Sequence, residues 1–449
     1  MRLPVFDRRR AGVLLPLSAL EAPLGRGGRA LVDWLASAGF SVWQMLPVGP
    51  AGPDGSPFWT RADCAGDPAL LDRAELPDPD APREPEFLEA SAPWLADYAL
   101  FDALAHSQAG APFWSWPKDL REREPGALAQ ARVRLAGDLA RVEREQHAFY
   151  VQWRRLREYA HSRGVRLFGD LPFYVAPSSF ETWTQRGLFK LAADGAPAVV
   201  SGVPPDYFTH LGQLWGNPVY DWDAARGSDF QWWRARVRAQ LARFDLLRLD
   251  HFRALVAYWA VPAGAPDARG GAWHDTPGEE LLRRLRQELG ALPLVAEDLG
   301  VITPEVVALR RAFGLPGMRV LQFAFDGNPQ NPHLPYMHEH DNVAYTGTHD
   351  NDTALGWYLR LDSGTRARVD LFLRGAAEAM PETLIRAALG SVARLAVVPV
   401  QDLLALGSEA RLNTPGTATG NWSWKLPPGA LDATLAQRYA RLNGCFGRA

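Results

Sequence analysis

The chain has 449 residues, a formal net charge of −3, 47% hydrophobic residues and 22% charged residues. This length exceeds one small domain and is enough for a barrel of roughly 250 residues with insertions. The small net charge gives no electrostatic reason to expect nucleic acid or an anionic membrane as a partner. The two cysteines, Cys64 and Cys445, lie far apart, so a disulfide framework is excluded and a reducing compartment, the cytoplasm, is expected.

No targeting or membrane-spanning segment is predicted. Residues 1–20 contain a short apolar run, but no continuous hydrophobic region followed by a small-residue cleavage site. No apolar stretch reaches the length of a membrane-spanning helix. The 17 tryptophans are compatible either with a bulky core or with flat platforms on which sugar rings stack.

Eight short apolar runs predict strands. They are Gly12–Leu17, Ser41–Val48, Val165–Val175, Asp245–Phe252, Leu294–Gly300, Val320–Phe325, Asn342–Asp350 and Leu395–Leu403. Such near-continuous apolar sequence is typical of parallel strands that are buried on both faces.

Segments of helical character separate most of these runs. They are Arg29–Ala38, Leu128–Ser162, Asp229–Phe244, Gly278–Leu289 and Pro304–Phe313. Thr303 reads as an N-cap before a proline at the first helical position. Eight strands that alternate with helices predict an α/β fold, a (β/α)8 TIM barrel that forms one catalytic domain over residues 1–449.

Two long connections predict insertions in the barrel. The segment between the second and third strands is far longer than a βα loop, and we expect residues 51–160 to form a mostly helical subdomain. Residues 176–223 are rich in glycine, proline and aromatic residues. We expect this second insertion to be an ordered aromatic loop region over the site.

Three carboxylates lie at the ends of separate predicted strands. Asp250 stands in RLDHF, Glu297 in VAEDLG and Asp350 in TGTHDN. Functional residues of such barrels lie at the carboxyl ends of the strands, so these groups are expected to converge on one cleft. A pair of carboxyls about 5–5.5 Å apart can cleave a glycosidic bond with retention, one as nucleophile and one as acid and base. A third carboxylate can hold substrate hydroxyls and raise the pKa of the acid.

Three further residues accompany these carboxylates. Arg248 lies two residues before Asp250, so both side chains should point to the same side of an extended strand. A guanidinium there keeps a carboxylate ionised as a nucleophile. His251 and His349 each adjoin a key aspartate, where a neutral imidazole suits hydrogen bonds to sugar hydroxyls.

Structural readings compete with these functional ones. An aspartate after an apolar strand is often only a helix N-cap, and a histidine there often serves the core or a loop. One member of the Glu297–Asp298 pair is expected to be structural. Helix capping could explain the carboxylate at one strand end, but it is a poor explanation for polar residues at all three strand ends together.

The chain resembles the amylomaltases, the bacterial 4-α-glucanotransferases or disproportionating enzymes of glycoside hydrolase family 77. The resemblance runs from about Gly12 to Leu426. Its most specific segments are GVPPDYFTHLGQLWGNPVYDWD (202–223), LLRLDHFRAL (246–255), AEDLGVITPEV (296–306), GLPGMRVLQFAF (314–325), YTGTHDNDTALGWY (345–358) and GSEARLNTPGTATGNWSWKL (407–426).

The resemblance implies a role for each matching residue. Asp250 falls on the nucleophile, Glu297 on the general acid/base, and Asp350 on the carboxylate that stabilises the transition state. The implied substrate contacts are Arg248, His251, His349, Ser56, Phe58, Tyr207, Phe208, Trp215, Asn421 and Trp422. Among them, residues 207, 208 and 215 belong to an aromatic loop over the acceptor region, which the family uses to shield the intermediate. The last two residues line the donor side.

The sequence also departs from the family. Ser56-Pro57-Phe58 replaces Ser-Pro-Tyr, and Asp67 replaces the usual asparagine of Gly-Asn-Pro. Pro177-Ser178 replaces a more polar pair, and Ala254 and Val256 replace glycine and glutamate after the nucleophile. These changes leave the three carboxylates intact and concern donor affinity, preferred chain length and transfer efficiency.

The resemblance implies a retaining enzyme that transfers α-1,4-glucanyl units between maltooligosaccharides or to glucose. A mainly hydrolytic enzyme, or one with an altered acceptor, is the alternative; an inactive glucan-binding protein is the third hypothesis. The expected partners are a glucan donor and a sugar acceptor, without nucleic acid or membrane, for a monomer or weak homo-oligomer. No cofactor and no metal are predicted, and Asp352 is expected to hold its loop by hydrogen bonds, since its surroundings lack an EF-hand pattern.

Overall fold

The computed structural model describes residues 4–52, 54–79, 81–205, 210–373, 379–417 and 419–449. Its strands are β1 Arg10–Leu14, β2 Val42–Gln44, β3 Arg166–Leu171, β4 Val199–Val203, β5 Gln213–Pro218, β6 Leu246–Leu249, β7 Ala257–Pro262, β8 Ala272–Asp275, β9 Leu294–Ala296, β10 Gly317–Val320, β11 Asn342–Tyr345 and β12 Leu395–Pro399. Its α-helices are α1 Arg26–Ser37, α2 Pro85–Ser91, α3 Leu95–Ser107, α4 Lys118–Arg121, α5 Pro125–Arg134, α6 Ala136–Ser162, α7 Phe180–Thr184, α8 Trp222–Gly227, α9 Gln231–Arg243, α10 Gly278–Leu289, α11 Pro304–Ala312, α12 Ala354–Arg360, α13 Ser363–Leu373, α14 Glu382–Gly390, α15 Val400–Leu403 and α16 Ala433–Cys445.

Eight parallel strands close into a barrel in the order β1-β2-β3-β6-β9-β10-β11-β12. The predicted (β/α)8 barrel is confirmed, and each of its strands overlaps one of the eight predicted apolar runs. The barrel interior is filled by large apolar side chains from all eight strands, such as Phe168, Met318 and Tyr345. Alternate residues of the same strands pack outward against the helices. Burial on both faces explains why these runs lack polar alternation.

The tenth strand differs from its prediction. The run Val320–Phe325 was expected to be a strand, but β10 covers Gly317–Val320 and Leu321–Phe323 form a 3-10 turn. Leu321 and Phe325 pack in a cluster with residues of α12, α13 and α14 outside the barrel interior. An apolar run reports burial and does not distinguish a strand from a buried turn.

Helices α2 to α6 lie between β2 and β3, and helices α3 to α6 share a hydrophobic cluster with Phe180 and Trp183 of α7. Phe101, Trp116 and Trp183 pack ring against ring at the centre of this cluster. The last helix, α6, also reaches the barrel core through Trp153 and Leu156. In the segment before these helices, Phe58 stacks on His349, which follows β11 at the carboxyl end of the barrel.

Residues 176–223 are more regular than the predicted loop region. They contain α7, β4, β5 and the start of α8, and the two strands form an antiparallel sheet in the order β5-β4-β7-β8. The prediction missed this sheet because β7 and β8 come later in the chain, after the sixth strand. Strands stabilised by distant partners carry little local signal.

Helix α11 begins as predicted, with Thr303 at the N-cap position and Pro304 first in the helix, although the Thr303 side chain makes no capping hydrogen bond. Among the described residues, no helix is both long and apolar enough to cross a membrane.

Candidate active site

The three predicted carboxylates stand at the carboxyl end of the barrel. Asp250 directly follows β6, Glu297 directly follows β9, and Asp350 lies five residues beyond β11. Strands β6 and β9 are neighbours, but β10 separates β9 from β11. The predicted run Asn342–Asp350 is therefore a strand only as far as Tyr345, and Asp350 reaches the site from the loop that follows.

Arg248 is the buried centre of the site. Its Nη2 donates to Asp250 Oδ1 at 2.9 Å, which confirms that both side chains share one side of β6. Its Nη1 donates to both carboxylate oxygens of Asp170, each at 2.9 Å. Burial opposes the charge of Arg248, yet the carboxylates of Asp170, Asp250, Glu297 and Asp350 together hold its pKa well above the usual value. All four acidic groups therefore face one fixed cation.

Asp170 is a fourth carboxylate, which sequence reasoning missed. It lies inside β3 and is 2% exposed. Burial and the charge of Asp250 raise the pKa of Asp170 to about 6, against the opposing pull of Arg248 and His349. Since its two oxygens receive the Arg248 guanidinium, Asp170 positions that arginine beneath Asp250. The available signal was a charged residue within a strand buried on both faces, which requires a charged partner.

Glu297 is held by backbone N–H groups. Its Oε2 accepts from the His251 N–H at 2.8 Å and its Oε1 from the Leu299 N–H at 3.0 Å. Burial, together with the charge of Asp250, raises the pKa of Glu297 to about 8, although Arg248 and the two N–H groups act in the opposite direction. A carboxyl with this pKa carries a proton at neutral pH and can donate it.

His251 lies between the nucleophile position and the aromatic side of the site. Its φ of +47° is left-handed, a strained conformation for a non-glycine residue, and it turns the backbone N–H toward Glu297. The ring meets Trp215 edge to face at a centroid distance of 4.7 Å. Burial lowers the pKa of His251 to about 4, so the imidazole is neutral at pH 7. Its Nε2 is buried and has no hydrogen-bond partner among the described residues.

Asp350 is fixed by residues from a later part of the chain. Asn413 Nδ2 donates to its Oδ1 at 2.6 Å, His349 Nε2 lies 3.3 Å from its Oδ2, and Arg411 Nη2 donates to its backbone oxygen at 2.7 Å. Burial alone would raise the pKa of Asp350, but His349, Asn413 and Arg248 outweigh it and hold the pKa well below the usual range. Asp350 is therefore an anion at working pH. Sequence reasoning missed Asn413 and Arg411.

A ring cluster flanks Asp350. Phe58 stacks on His349 at a centroid distance of 4.9 Å and an interplanar angle of 21°. Trp422 lies 6.0 Å from each of these two rings. The Ser56 hydroxyl accepts from the Phe58 N–H at 3.3 Å and so shapes the turn that presents the ring. The structure thus brings together Ser56, Phe58, His349 and Trp422, four of the substrate contacts that the resemblance implies.

Asn421 contacts its own loop. Its Oδ1 accepts from the Thr414 N–H at 2.9 Å and its Nδ2 donates to the Thr417 carbonyl at 3.0 Å. It therefore shapes the turn before Trp422, whose φ is +62°. Trp215 is held by a hydrogen bond from its Nε1 to Gln213 Oε1 at 3.1 Å. Tyr207 and Phe208, the other predicted aromatics, lie outside the described residues.

The positions that depart from the family have structural partners here. Asp67 caps a 3-10 turn by accepting from the Ala69 N–H. Ser178 Oγ accepts from the Phe113 N–H at 3.1 Å. Ala254 is fully buried behind the nucleophile segment, and Val256 donates its N–H to Arg253.

Two acidic neighbours of the carboxylate trio are structural. Asp298 is buried against Arg310 and Arg319, at 3.2 Å and 3.3 Å. Asp352 accepts from the Ser408 hydroxyl at 2.7 Å and from the Thr353 N–H at 2.9 Å, which confirms the expected loop-holding role. No group of three or more histidine, cysteine, aspartate or glutamate side chains in the described parts of the chain is placed to hold a metal ion.

A protonated carboxyl beside an arginine-bound carboxylate, at the carboxyl end of a (β/α)8 barrel, is an arrangement typical of glycoside-cleaving enzymes. A family model described as 4-alpha-glucanotransferase matches residues 73–432. The chain is 42% identical to the 4-alpha-glucanotransferase of Thermus thermophilus, across 96% of each chain. It is 40% identical to that of Synechocystis sp., across 99% of each.

The solved structures agree with this assignment. The amylomaltase from Streptococcus agalactiae, in complex with acarbose, superposes with a TM-score of 0.93 at 30% identity, covering 98% of this chain and all of that one. The amylomaltase from Corynebacterium glutamicum has the same fold, with a TM-score of 0.76 at 17% identity, covering 98% of this chain and 76% of that one. The chain belongs to the 4-α-glucanotransferases of glycoside hydrolase family 77.

Proposed function

We propose that Asp250, Glu297 and Asp350 carry out the chemistry of this family in the present chain. The chain transfers α-1,4-glucanyl units between maltooligosaccharides or to glucose. One observation carries the assignment of roles. The peptide N–H that follows Asp250 is hydrogen-bonded to Glu297, so a buried, proton-carrying glutamate stands beside an arginine-bound aspartate.

The first step forms a glycosyl-enzyme. An oxygen of Asp250 attacks the anomeric carbon of the donor while the bond from that carbon to the leaving 4-oxygen breaks. The proton of Glu297 passes to this leaving oxygen. Asp350, which is held ionised, stabilises the positive charge that develops on the sugar ring.

The second step reverses these roles. The acceptor 4-hydroxyl gives its proton to Glu297, and its oxygen takes the anomeric carbon from Asp250. Both carboxyls return to their starting states, and two inversions give net retention. The steps balance without a cofactor, and we propose none.

Transfer competes with hydrolysis at the second step. An aromatic wall that excludes water and stacks an acceptor ring favours the sugar hydroxyl over water. Trp215, packed against His251, supports this proposal. Tyr207 and Phe208, which stand in the same motif, are proposed as further parts of the wall.

The remaining substrate contacts are proposals too. Within the described part of the chain, Nε2 of neutral His251 and Nδ1 of His349 are buried without a hydrogen-bond partner, and each suits a sugar hydroxyl. Phe58 and Trp422 form apolar faces next to Asp350. Arg248 positions the nucleophile, Ser56 shapes the turn beneath Phe58, and Asn421 shapes the turn before Trp422.

We also propose that residues 1–449 form one catalytic barrel, with residues 51–160 and 176–223 as insertions that flank its mouth. The cytoplasm as location is supported by Cys64 and Cys445, which are both unpaired. A monomer or weak homo-oligomer, without nucleic-acid or membrane partners, fits the small net charge of −3.

Incubation with maltotriose tests the activity. We expect a ladder of shorter and longer maltooligosaccharides; glucose and maltose without longer products would identify a hydrolase. For the residue roles, Asp250→Asn should lower kcat by roughly 10⁴-fold or more, because the covalent route is lost. Asp223→Asn, a change at a 98% exposed aspartate, is the control and should leave kcat unchanged. Normal turnover by Asp250→Asn would remove Asp250 from the mechanism.

A further inference from the structure

Arg236 is a buried cation that lies outside the group of catalytic side chains. It belongs to α9, which packs against β3 and β6, and its side chain is 2% exposed. The rings of Trp232 and Trp233 lie 5.1 Å and 5.0 Å from its guanidinium carbon. A buried guanidinium is costly unless its N–H groups have partners, so the partners of Arg236 indicate what it does.

Two of these partners are backbone carbonyls just beyond β3. Arg236 Nη2 donates to the Pro172 carbonyl at 2.7 Å, and Nη1 donates to the Phe173 carbonyl at 3.0 Å. Because Pro172 has no N–H, the hydrogen-bond ladder of β3 ends at Leu171 and the chain leaves the barrel wall there. Buried carbonyls outside a ladder need other donors, and Arg236 supplies one to each of them.

The end of β3 holds the nucleophile in two ways. The Leu171 carbonyl accepts from the Asp250 N–H at 3.0 Å. Asp170, one residue earlier, binds the guanidinium of Arg248, which is paired with the Asp250 carboxylate. Arg236 fixes the chain immediately after both contacts. A shift of that chain would therefore move the backbone of the nucleophile and the cation beside its carboxylate.

The anionic partner of Arg236 comes from another part of the chain. Its Nε and Nη2 both pair with Asp63 Oδ2. Asp63 lies five residues after Phe58, whose ring stacks on His349. One buried guanidinium thus joins the segment that carries Phe58 to the strand that carries Asp170.

We propose that Arg236 is a positioning residue for the transfer reaction, which holds the end of β3, and through it the nucleophile Asp250, in a fixed place relative to the segment that carries Phe58. A guanidinium suits this task because its planar fork of donors binds two carbonyls and a carboxylate at once. A lysine ammonium keeps the charge but cannot hold three acceptors in the same geometry. The inference rests on the proposed transfer function and adds to it a residue that touches no reacting group.

Arg236→Lys is the first test. We expect kcat with maltotriose to fall by roughly 10- to 100-fold while KM changes by less than about threefold, because a misplaced nucleophile slows attack without removing a substrate contact. The rate of glycosyl-enzyme formation from a glycosyl fluoride should fall by a similar factor. That donor still needs attack by Asp250, but its fluoride leaves without a proton from Glu297.

Tyr220→Phe tests the same carbonyl by a second route and keeps the test valid if Arg236→Lys fails to fold. The Tyr220 hydroxyl donates to the Phe173 carbonyl at 2.7 Å and accepts from Arg236 Nη1 at 3.2 Å. Loss of this hydroxyl should lower kcat by a smaller factor, about two- to fivefold, again with little change in KM. Unchanged kcat in both variants would overturn the proposal.

Arg448→Lys is the matched control. Arg448 is also buried and also donates to backbone carbonyls, but it lies at the opposite end of the barrel, beside the start of β1. This variant should lower the midpoint of urea unfolding and leave kcat unchanged. A fall in kcat equal to that of Arg236→Lys would contradict the proposal, because the loss would then follow from any destabilised barrel.

The remaining outcomes separate the positioning role from the parent function. If the wild-type enzyme makes longer products from maltotriose and folded Arg236→Lys keeps its kcat, transfer stands and Arg236 serves stability alone. A rise in KM without a fall in kcat would also contradict the positioning role. If the wild type makes only glucose and maltose, transfer is wrong, and the fluoride assay still decides the role of Arg236, because glycosyl-enzyme formation precedes transfer and hydrolysis alike.

Discussion

Several groups shift the pKa of the Glu297 carboxyl in opposite directions. Burial and the negative charge of Asp250 raise its pKa to about 8, and they prevail over Arg248 and two backbone N–H donors. The acid must be protonated to donate to the leaving oxygen, so activity is lost as pH rises through this value. We expect kcat/KM for maltotriose to fall about tenfold per pH unit above about 8.

A glycosyl fluoride donor provides the matched measurement, because fluoride leaves without a proton. With this donor, the alkaline fall in kcat/KM should disappear, and Glu297→Gln should retain most of the rate of glycosyl-enzyme formation. Persistence of the same alkaline fall with the fluoride would assign the titration to another group.

The sequence predicted the trio and its neighbours at this scale because they end apolar runs. Asp170 was missed because it stands within a run, where a charge interrupts the pattern without marking a strand end. Asn413 was missed for another reason. It binds Asp350 from 63 residues away, and no local spacing relates the two. Pairings that depend on closure of the barrel are invisible to a linear pattern.

At the scale of elements, the carboxylate of Asp402 is hydrogen-bonded to both ends of the loop that carries His349 and Asp350. Asp402, in α15 just after β12, accepts from the Thr346 hydroxyl at 2.6 Å and from the Ala354 N–H at 2.7 Å. It is 1% exposed, and burial raises its pKa to about 6. Gln322, in the 3-10 turn after β10, adds a hydrogen bond to the Asp352 carbonyl at 2.8 Å.

We expect Asp402→Ala to lower kcat by roughly 100-fold while KM for maltotriose changes less, because the loop loses both fastenings and Asp350 is displaced. Asp402→Asn, which keeps an acceptor oxygen, should recover part of the loss. Urea unfolding should show a cost of about 1–3 kcal/mol for the alanine variant. Normal kcat in a destabilised Asp402→Ala enzyme would show that the carboxylate serves stability alone.

The sequence predicted the barrel strands better than the strands of the antiparallel sheet, and burial explains the difference. The eight barrel runs were found because double-sided burial demands continuous apolar sequence. The displaced β10 and the sheet of β4, β5, β7 and β8 were not, since β8 is wholly exposed and its pairing depends on distant chain.

At the scale of the whole molecule, the opposite end of the barrel is closed by a buried arginine. Arg448 is fully buried and donates to the carbonyl oxygens of Leu389, Arg10, Arg394, Ser391 and Ala393 at 2.6–3.2 Å. Burial lowers its pKa to about 9. The contacts with Arg10 and Arg394 join this residue to the beginning of β1 and β12, where the barrel closes.

We expect Arg448→Ala to reduce the free energy of unfolding by about 3 kcal/mol or more, because several buried carbonyls lose their donor together. Its kcat should stay unchanged, since the catalytic groups stand at the other end of the strands. Arg283→Ala, a change at an arginine with a 55% exposed side chain, is the control for urea unfolding and should cost less than about 0.5 kcal/mol. A marked loss of kcat in folded Arg448→Ala would mean that the two ends of the barrel are coupled.

The hydrogen bond from the His251 N–H to Glu297 Oε2 links the segment of the nucleophile to the acid/base side chain. Between the backbone of Asp250 and the carboxyl of Glu297 lie only one peptide unit and one hydrogen bond of 2.8 Å, so local geometry, and not the barrel diameter, sets their spacing. A change in this contact should therefore lower the rate of transfer but leave the product bonds in the α configuration, because two inversions at the anomeric carbon still give retention.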